Sequence, residues 1–71
     1  MRYNFYDVFE ESSNGMLKPK RPVRIGGVTM GTGVSFGPGA SFAGINIFQM
    51  KGIDIEANEE NGMLVIGGFF N

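Results

Sequence analysis

The residues best suited to chemistry in this chain fall into two charged groups. Lys18, Lys20, Arg21 and Arg24 place four positive charges within seven residues, interleaved with Pro19, Pro22 and Val23. Cations neutralise phosphates and nearby Tyr and Phe rings can stack on bases, so such a run can contact an anionic polymer such as nucleic acid. The competing reading is a charged, Pro-marked strand edge that repels unwanted pairing. A formal net charge of −1 provides little overall attraction for a polyanion and favours the second reading, so nucleic acid is not the expected partner. The acidic group is Asp54, Glu56, Glu59 and Glu60, with Asn58 between them. Alternating oxygens can hold a hard cation such as calcium. The run lacks the loop glycine and the spacing of an EF-hand, and reads instead as the solvated face and turn of a hairpin. Its charges could also meet the basic run of a neighbouring copy, setting register more than affinity. The Gly-x-Gly steps at 31–33 and 37–39 invite a phosphate-loop reading, but Gly39 leads into Ala40-Ser41-Phe42 and not into Lys followed by Ser or Thr. No metal and no cofactor is expected.

What is missing narrows the chemistry further. The sequence has no Cys and no His. A disulfide framework, a thiolate nucleophile, a Ser-His-Asp triad and the commonest zinc ligand are all excluded. Asp, Glu, Lys, Tyr and Ser remain, and no two of them are spaced as an acid–base pair. The expectation is a protein that is not an enzyme and has no small-molecule substrate. The opening MRYNFYDVFEESS has no apolar core of a secretory signal, so a cytoplasmic location is expected. Residues 25–50 carry no charge, but seven glycines and Pro38 interrupt them, and no membrane span is expected.

The elements that must position these groups are short. With 71 residues, the protein is one small domain whose burial of surface is marginal. Without disulfides or zinc, oligomerisation is the remaining common support at this size. Three segments divide the sequence: an N-terminal hairpin over 1–24, a Gly-rich stretch over 25–50 and a C-terminal hairpin over 51–71. In the middle stretch, Val28, Met30, Val34, Phe36, Pro38, Ala40 and Phe42 occupy even positions, with Thr32 the one polar residue among them. Odd positions from Gly27 to Ala43 are all small or polar. That alternation is the strand period, with the large residues on one face. A period of six is superposed on it, with Gly-x-Gly corners that permit sharp turns because Gly can take positive φ.

The hexads Met30-Gly-Thr-Gly-Val-Ser35 and Phe36-Gly-Pro-Gly-Ala-Ser41 resemble the hexapeptide repeat of left-handed parallel β-helices. The resemblance covers residues 25–48. It implies that Met30, Phe36 and Phe42 point inward at the first position, with Val34 and Ala40 inward at the fifth. It departs from the family in using Phe for the aliphatic residue and in setting Asn46 at an inward position. It implies no acyl transfer, because the family's enzymes use a His base. The sequence also resembles short bacterial proteins of unknown function. A single coil cannot bury its own faces, so flanking segments or another copy must cover its edges.

Both flanks carry Asn-Gly-Met-Leu, at 14–17 and at 61–64, and Asn-Gly is the strongest short hairpin signal. Before the second, Ile53, Ile55 and Ala57 alternate with Asp54 and Glu56, a strand with one wet face. Before the first, Tyr3, Phe5, Tyr6, Val8 and Phe9 put apolar groups on both faces of a short strand, which then needs a second buried surface. The whole reads as an all-β protein: a short solenoid-like or tightly turned Gly-rich sheet between two hairpins, with little or no helix. The expected function is structural, a non-enzymatic subunit that pairs β-edges with copies of itself as a trimer or filament. Tyr3, Phe5, Phe9, Met30, Val34, Phe36, Phe42 and Phe48 are the expected interface or core. The alternative is a monomeric β-barrel binding an anionic polymer through Lys18, Lys20, Arg21 and Arg24.

Overall fold

The structure, a computed structural model, describes residues 1–70; the last residue of the expected C-terminal hairpin, Asn71, lies outside them. Seven strands run in sequence order: β1 (Arg2–Tyr3), β2 (Phe9–Glu11), β3 (Leu17–Pro19), β4 (Val23–Ile25), β5 (Val28–Met30), β6 (Ile55–Glu60) and β7 (Met63–Phe69). One helical turn, α1 (Phe5–Val8), and one 3-10 turn (Ile47–Met50) complete the elements. The protein is all-β with little helix, as the period-2 pattern and Asn-Gly turns imply.

Five strands form an open sheet in the order β1-β6-β7-β4-β5, so the barrel considered as an alternative does not form. The β4–β7 pair is parallel and every other pair antiparallel. At its centre is the β6–β7 hairpin, in which Glu60 faces Met63 across Asn61-Gly62. Asn61 and Gly62 have φ of 54° and 81°, the paired positive values of a type I′ turn. The first Asn-Gly folds differently. Its loop spans five residues between Glu11 and Leu17, and of the two only Gly15 has positive φ. Opposite Glu56 and Ala57 the register jumps from Gly68 to Ile66, a β-bulge that leaves Gly67 as the extra residue.

The expected N-terminal hairpin over 1–24 is shorter than drawn. Only β2 and β3 pair with each other, while β1 and β4 join the larger sheet. The two-faced apolar strand is also corrected. Asn4 caps a single helical turn by accepting from the Tyr6 amide at 3.0 Å. Phe5 and Val8, three apart, then share the inner face while Tyr6 and Asp7 face out. The turn stops at Phe9, whose extended backbone returns to a strand. One turn of helix therefore resolves a pattern that a strand could not bury on both sides.

Residues 31–46 form a ribbon of successive turns. Val34 N donates to Gly31 O and Ala40 N to Gly37 O, each at 3.2 Å, so the six-residue period is a period of turns. Phe42 and Ile45 exchange both backbone bonds around Ala43-Gly44. The positive φ that glycine permits is not used at Gly31, Gly33, Gly37 or Gly39. Between the first two turns, Phe36 exchanges backbone bonds with Leu17 at 2.9 and 3.0 Å, docking the ribbon on β3. The core lies between the layers. Val23, Ile25, Met30, Ile55, Ala57, Leu64 and Ile66 come from the large sheet, and Phe5, Val8, Phe9, Leu17, Phe36 and Ile47 from the opposite side. No polar or charged residue is buried with them among the described residues.

Candidate functional site

The basic run links β3 in the small sheet to β4 in the large one. Strand geometry divides its charges. Glu10 stands directly across from Lys18, with the carboxylate 3.8 Å from the ammonium. Arg21 reaches Glu59 at 2.8 Å. Lys20 and Arg24 are exposed and form no ion pair among the described residues. Arg24 lies on the outer face of the sheet, in register between Thr29 and Val65. Carboxylates of the same molecule therefore meet two of the four cations.

The acidic hairpin is likewise occupied from within. Arg2 Nε meets Asp54 at 2.7 Å, and the Met1 ammonium meets Glu56 at 2.8 Å. Within the molecule, three of the four acids thus have a cationic partner. Each such exposed pair contributes only about 0–1 kcal/mol. Among the described residues, no three metal-ligating side chains gather to hold an ion, and no cleft or cavity opens.

The aromatic residues tie α1 and β2 to the ribbon. Ring centroids of Phe5 and Phe9 are 5.2 Å apart, Phe9 and Phe36 6.1 Å, and Phe36 and Phe42 4.9 Å. Phe48 completes the group at 6.2 Å from Phe36. Phe5, Phe9, Met30 and Phe36 are buried, while Tyr3, Phe42 and Phe48 are half-buried against them. Val34 departs from its expected inward position and is 40% exposed. It ends the turn that starts at Gly31, and that turn rotates its side chain away from the face Phe36 occupies.

Two residues outside the expected set position the ribbon. Asn46 Nδ2 donates to Pro38 O at 2.8 Å, tying one turn to the next. Its signal in the sequence was a polar residue at an inward hexad position. Lys51 reaches Glu11 at 3.3 Å and lies 4.9 Å from the centre of the Phe48 ring, closing the ribbon onto β2. Nothing local in the sequence marks that pairing.

The edges of the sheets differ in kind. β1 is two residues long and flanked by the Arg2 and Met1 charges. β2 exposes Glu10 and Glu11. β5, Val28-Thr29-Met30, has no charge and no strand on its outer side. Charge on an edge resists pairing, and the β5 edge lacks that defence. The β4–β5 connection is the two-residue turn Gly26-Gly27, with φ of 59° at Gly26 alone, the type II′ pattern. In such a hairpin the pair flanking the turn is hydrogen-bonded and the next pair is not. Ile25 and Val28 are therefore bonded to each other, and Thr29, opposite Arg24, turns its N–H and C=O outward to the open side. Glycine borders this edge at 27, 31 and 33. None of the three needs positive φ, and a Cβ at any of them would meet nothing within 4 Å.

Comparison with known proteins yields no match, whether to family models, curated proteins or solved structures. Among the described residues no helix is long and apolar enough to cross a membrane.

Proposed function

We propose that this protein is a non-enzymatic structural subunit that associates with copies of itself through the open edge of β5. One observation carries the reading: an uncharged edge strand, with an outward donor and acceptor on Thr29, stands between glycines that the fold itself does not require. Glycine at a position alanine could occupy costs about 0.4–1 kcal/mol through the freedom of the unfolded chain, and is useful where another backbone must come close. Main-chain pairing along an exposed edge is an established mode of recognition. The geometry favours β5 against β5 of a second copy, antiparallel, with Thr29 opposite Thr29. That contact uses the same surface twice and closes at two copies. Growth to a trimer or a filament needs a second receptive edge, and the β1 and β2 edges are defended by charge. Binding of an anionic polymer has less support, because Glu10 and Glu59 already hold two of the four cations.

The test is absolute mass by light scattering over a range of concentration, for the native protein and for Thr29→Pro. Proline removes the outward N–H and leaves the bonds of the β4–β5 hairpin in place. The native protein is expected to rise to twice its 7.7 kDa while Thr29→Pro stays folded at 7.7 kDa. A native protein that is monomeric at every concentration, or a proline variant that still doubles, overturns the proposal.

A further inference from the structure

We propose that Asn61 is a site of spontaneous backbone modification in the folded protein, and that the fold protects Asn14 from the same reaction. Both residues begin the tetrapeptide Asn-Gly-Met-Leu, so their chemistry in the unfolded state is closely matched. The reaction is loss of ammonia through a cyclic imide. The amide nitrogen of the following glycine gives up its proton to solvent base and attacks Cγ of the Asn carboxamide. A bond forms between that nitrogen and Cγ, the Cγ–Nδ2 bond breaks, and ammonia leaves with a proton from water. Water then adds to one of the two imide carbonyls and opens the ring, leaving aspartate or its backbone-lengthened isomer. Glycine favours the attack because no side chain shields its nitrogen.

The two sites differ in what holds the reacting atoms. At Asn14 the nucleophile is engaged: Gly15 N donates to Ser12 O at 3.0 Å. The electrophile is held as well, since Asn14 Oδ1 accepts from Met16 N at 3.3 Å and from the Ser12 hydroxyl. Ser12 N, bonded to Met16 O at 2.8 Å, closes the loop around them. At Asn61 neither restraint is present among the described residues. Gly62 N donates no hydrogen bond, the Asn61 side chain makes none, and both residues are exposed. Asn61 also holds a positive φ of 54°, a conformation that L-residues other than Asn and Asp seldom adopt. Rotation of one surface peptide brings its atoms together, whereas Asn14 must first lose its loop bonds. The product adds a carboxylate beside Glu59 and Glu60, and the isomer adds a backbone methylene to a turn of only two residues.

The experiment is peptide mapping by mass spectrometry during incubation of the full-length protein in warm, mildly alkaline buffer, native and in urea. In urea the two sites are expected to lose ammonia at similar rates. In the native protein Asn61 is expected to react about tenfold faster than Asn14, the factor set by one or two net hydrogen bonds. Ser12→Ala is expected to raise the rate at Asn14 and leave that at Asn61 unchanged. Equal native rates, or a faster Asn14, overturn the proposal. If Ser12→Ala unfolds the protein, both rates rise together, and the native comparison of the unaltered protein decides alone.

Discussion

Glycine carries two different meanings in this protein, and the distinction lies in single dihedral angles. Gly26 has φ of 59°, and a Cβ built on it would lie 2.4 Å from the Cβ of Ala43, so the β4–β5 turn and the ribbon turn above it meet at a point with no room. Gly26→Ala is expected to lower stability by about 1–3 kcal/mol, through backbone strain and forced separation of those turns. Gly31, Gly33 and Gly39 have no positive φ, and a Cβ added to any of them would meet nothing within 4 Å. Alanine at any of them is expected to raise stability by about 0.4–1 kcal/mol by restricting the unfolded state. Urea unfolding of the four variants at low concentration checks the contrast; equal effects at Gly26 and Gly31 would refute it. The repeating glycines were plain in the sequence, but their angles were not. A Gly-x-Gly pair is compatible with turns of either sign of φ, and only the path of the whole ribbon selects one.

Among the elements, the shortest ones were the hardest to read. The second Asn-Gly hairpin was legible because Ile55, Ala57, Leu64 and Ile66 alternate around a two-residue turn. The first was legible only as a reversal, since the Ser12 amide and hydroxyl both donate to the Met16 carbonyl across a longer loop. α1 was hidden in a run of aromatic and branched residues whose strand propensity is real, and the Asn4 cap outweighs it over four residues. Asn4→Ala is expected to cost about 1 kcal/mol, measurable as a lowered denaturant midpoint with unchanged slope. Phe36→Ala is expected to cost about 3–5 kcal/mol. That residue belongs to no strand, yet it contacts three other aromatic rings and pairs with Leu17, so it joins the ribbon to the small sheet. A loss under about 1 kcal/mol there would mean that the ribbon is not part of the cooperative core.

At the scale of the molecule, charge is paired away from the β5 edge, the edge through which association is proposed. None of the five ion pairs among the described residues involves a β5 side chain, and that edge has no ionisable group. Association is therefore expected to hold its mass from low to high salt, whereas polyanion binding would weaken steeply over that range. Light scattering and a nucleic-acid binding titration, run through the same salt series, separate the two outcomes. Strand order has a consequence for synthesis on the ribosome. β1 pairs only with β6, and β4 can complete its pairing only with β7. The early strands thus wait for partners that emerge only after the whole ribbon has been made. Until then the nascent segment has the β4–β5 and β2–β3 hairpins but no central strand to join them. The large sheet forms in one late step, when β6 and β7 clear the exit tunnel, and refolding from denaturant should be governed by that same long-range closure.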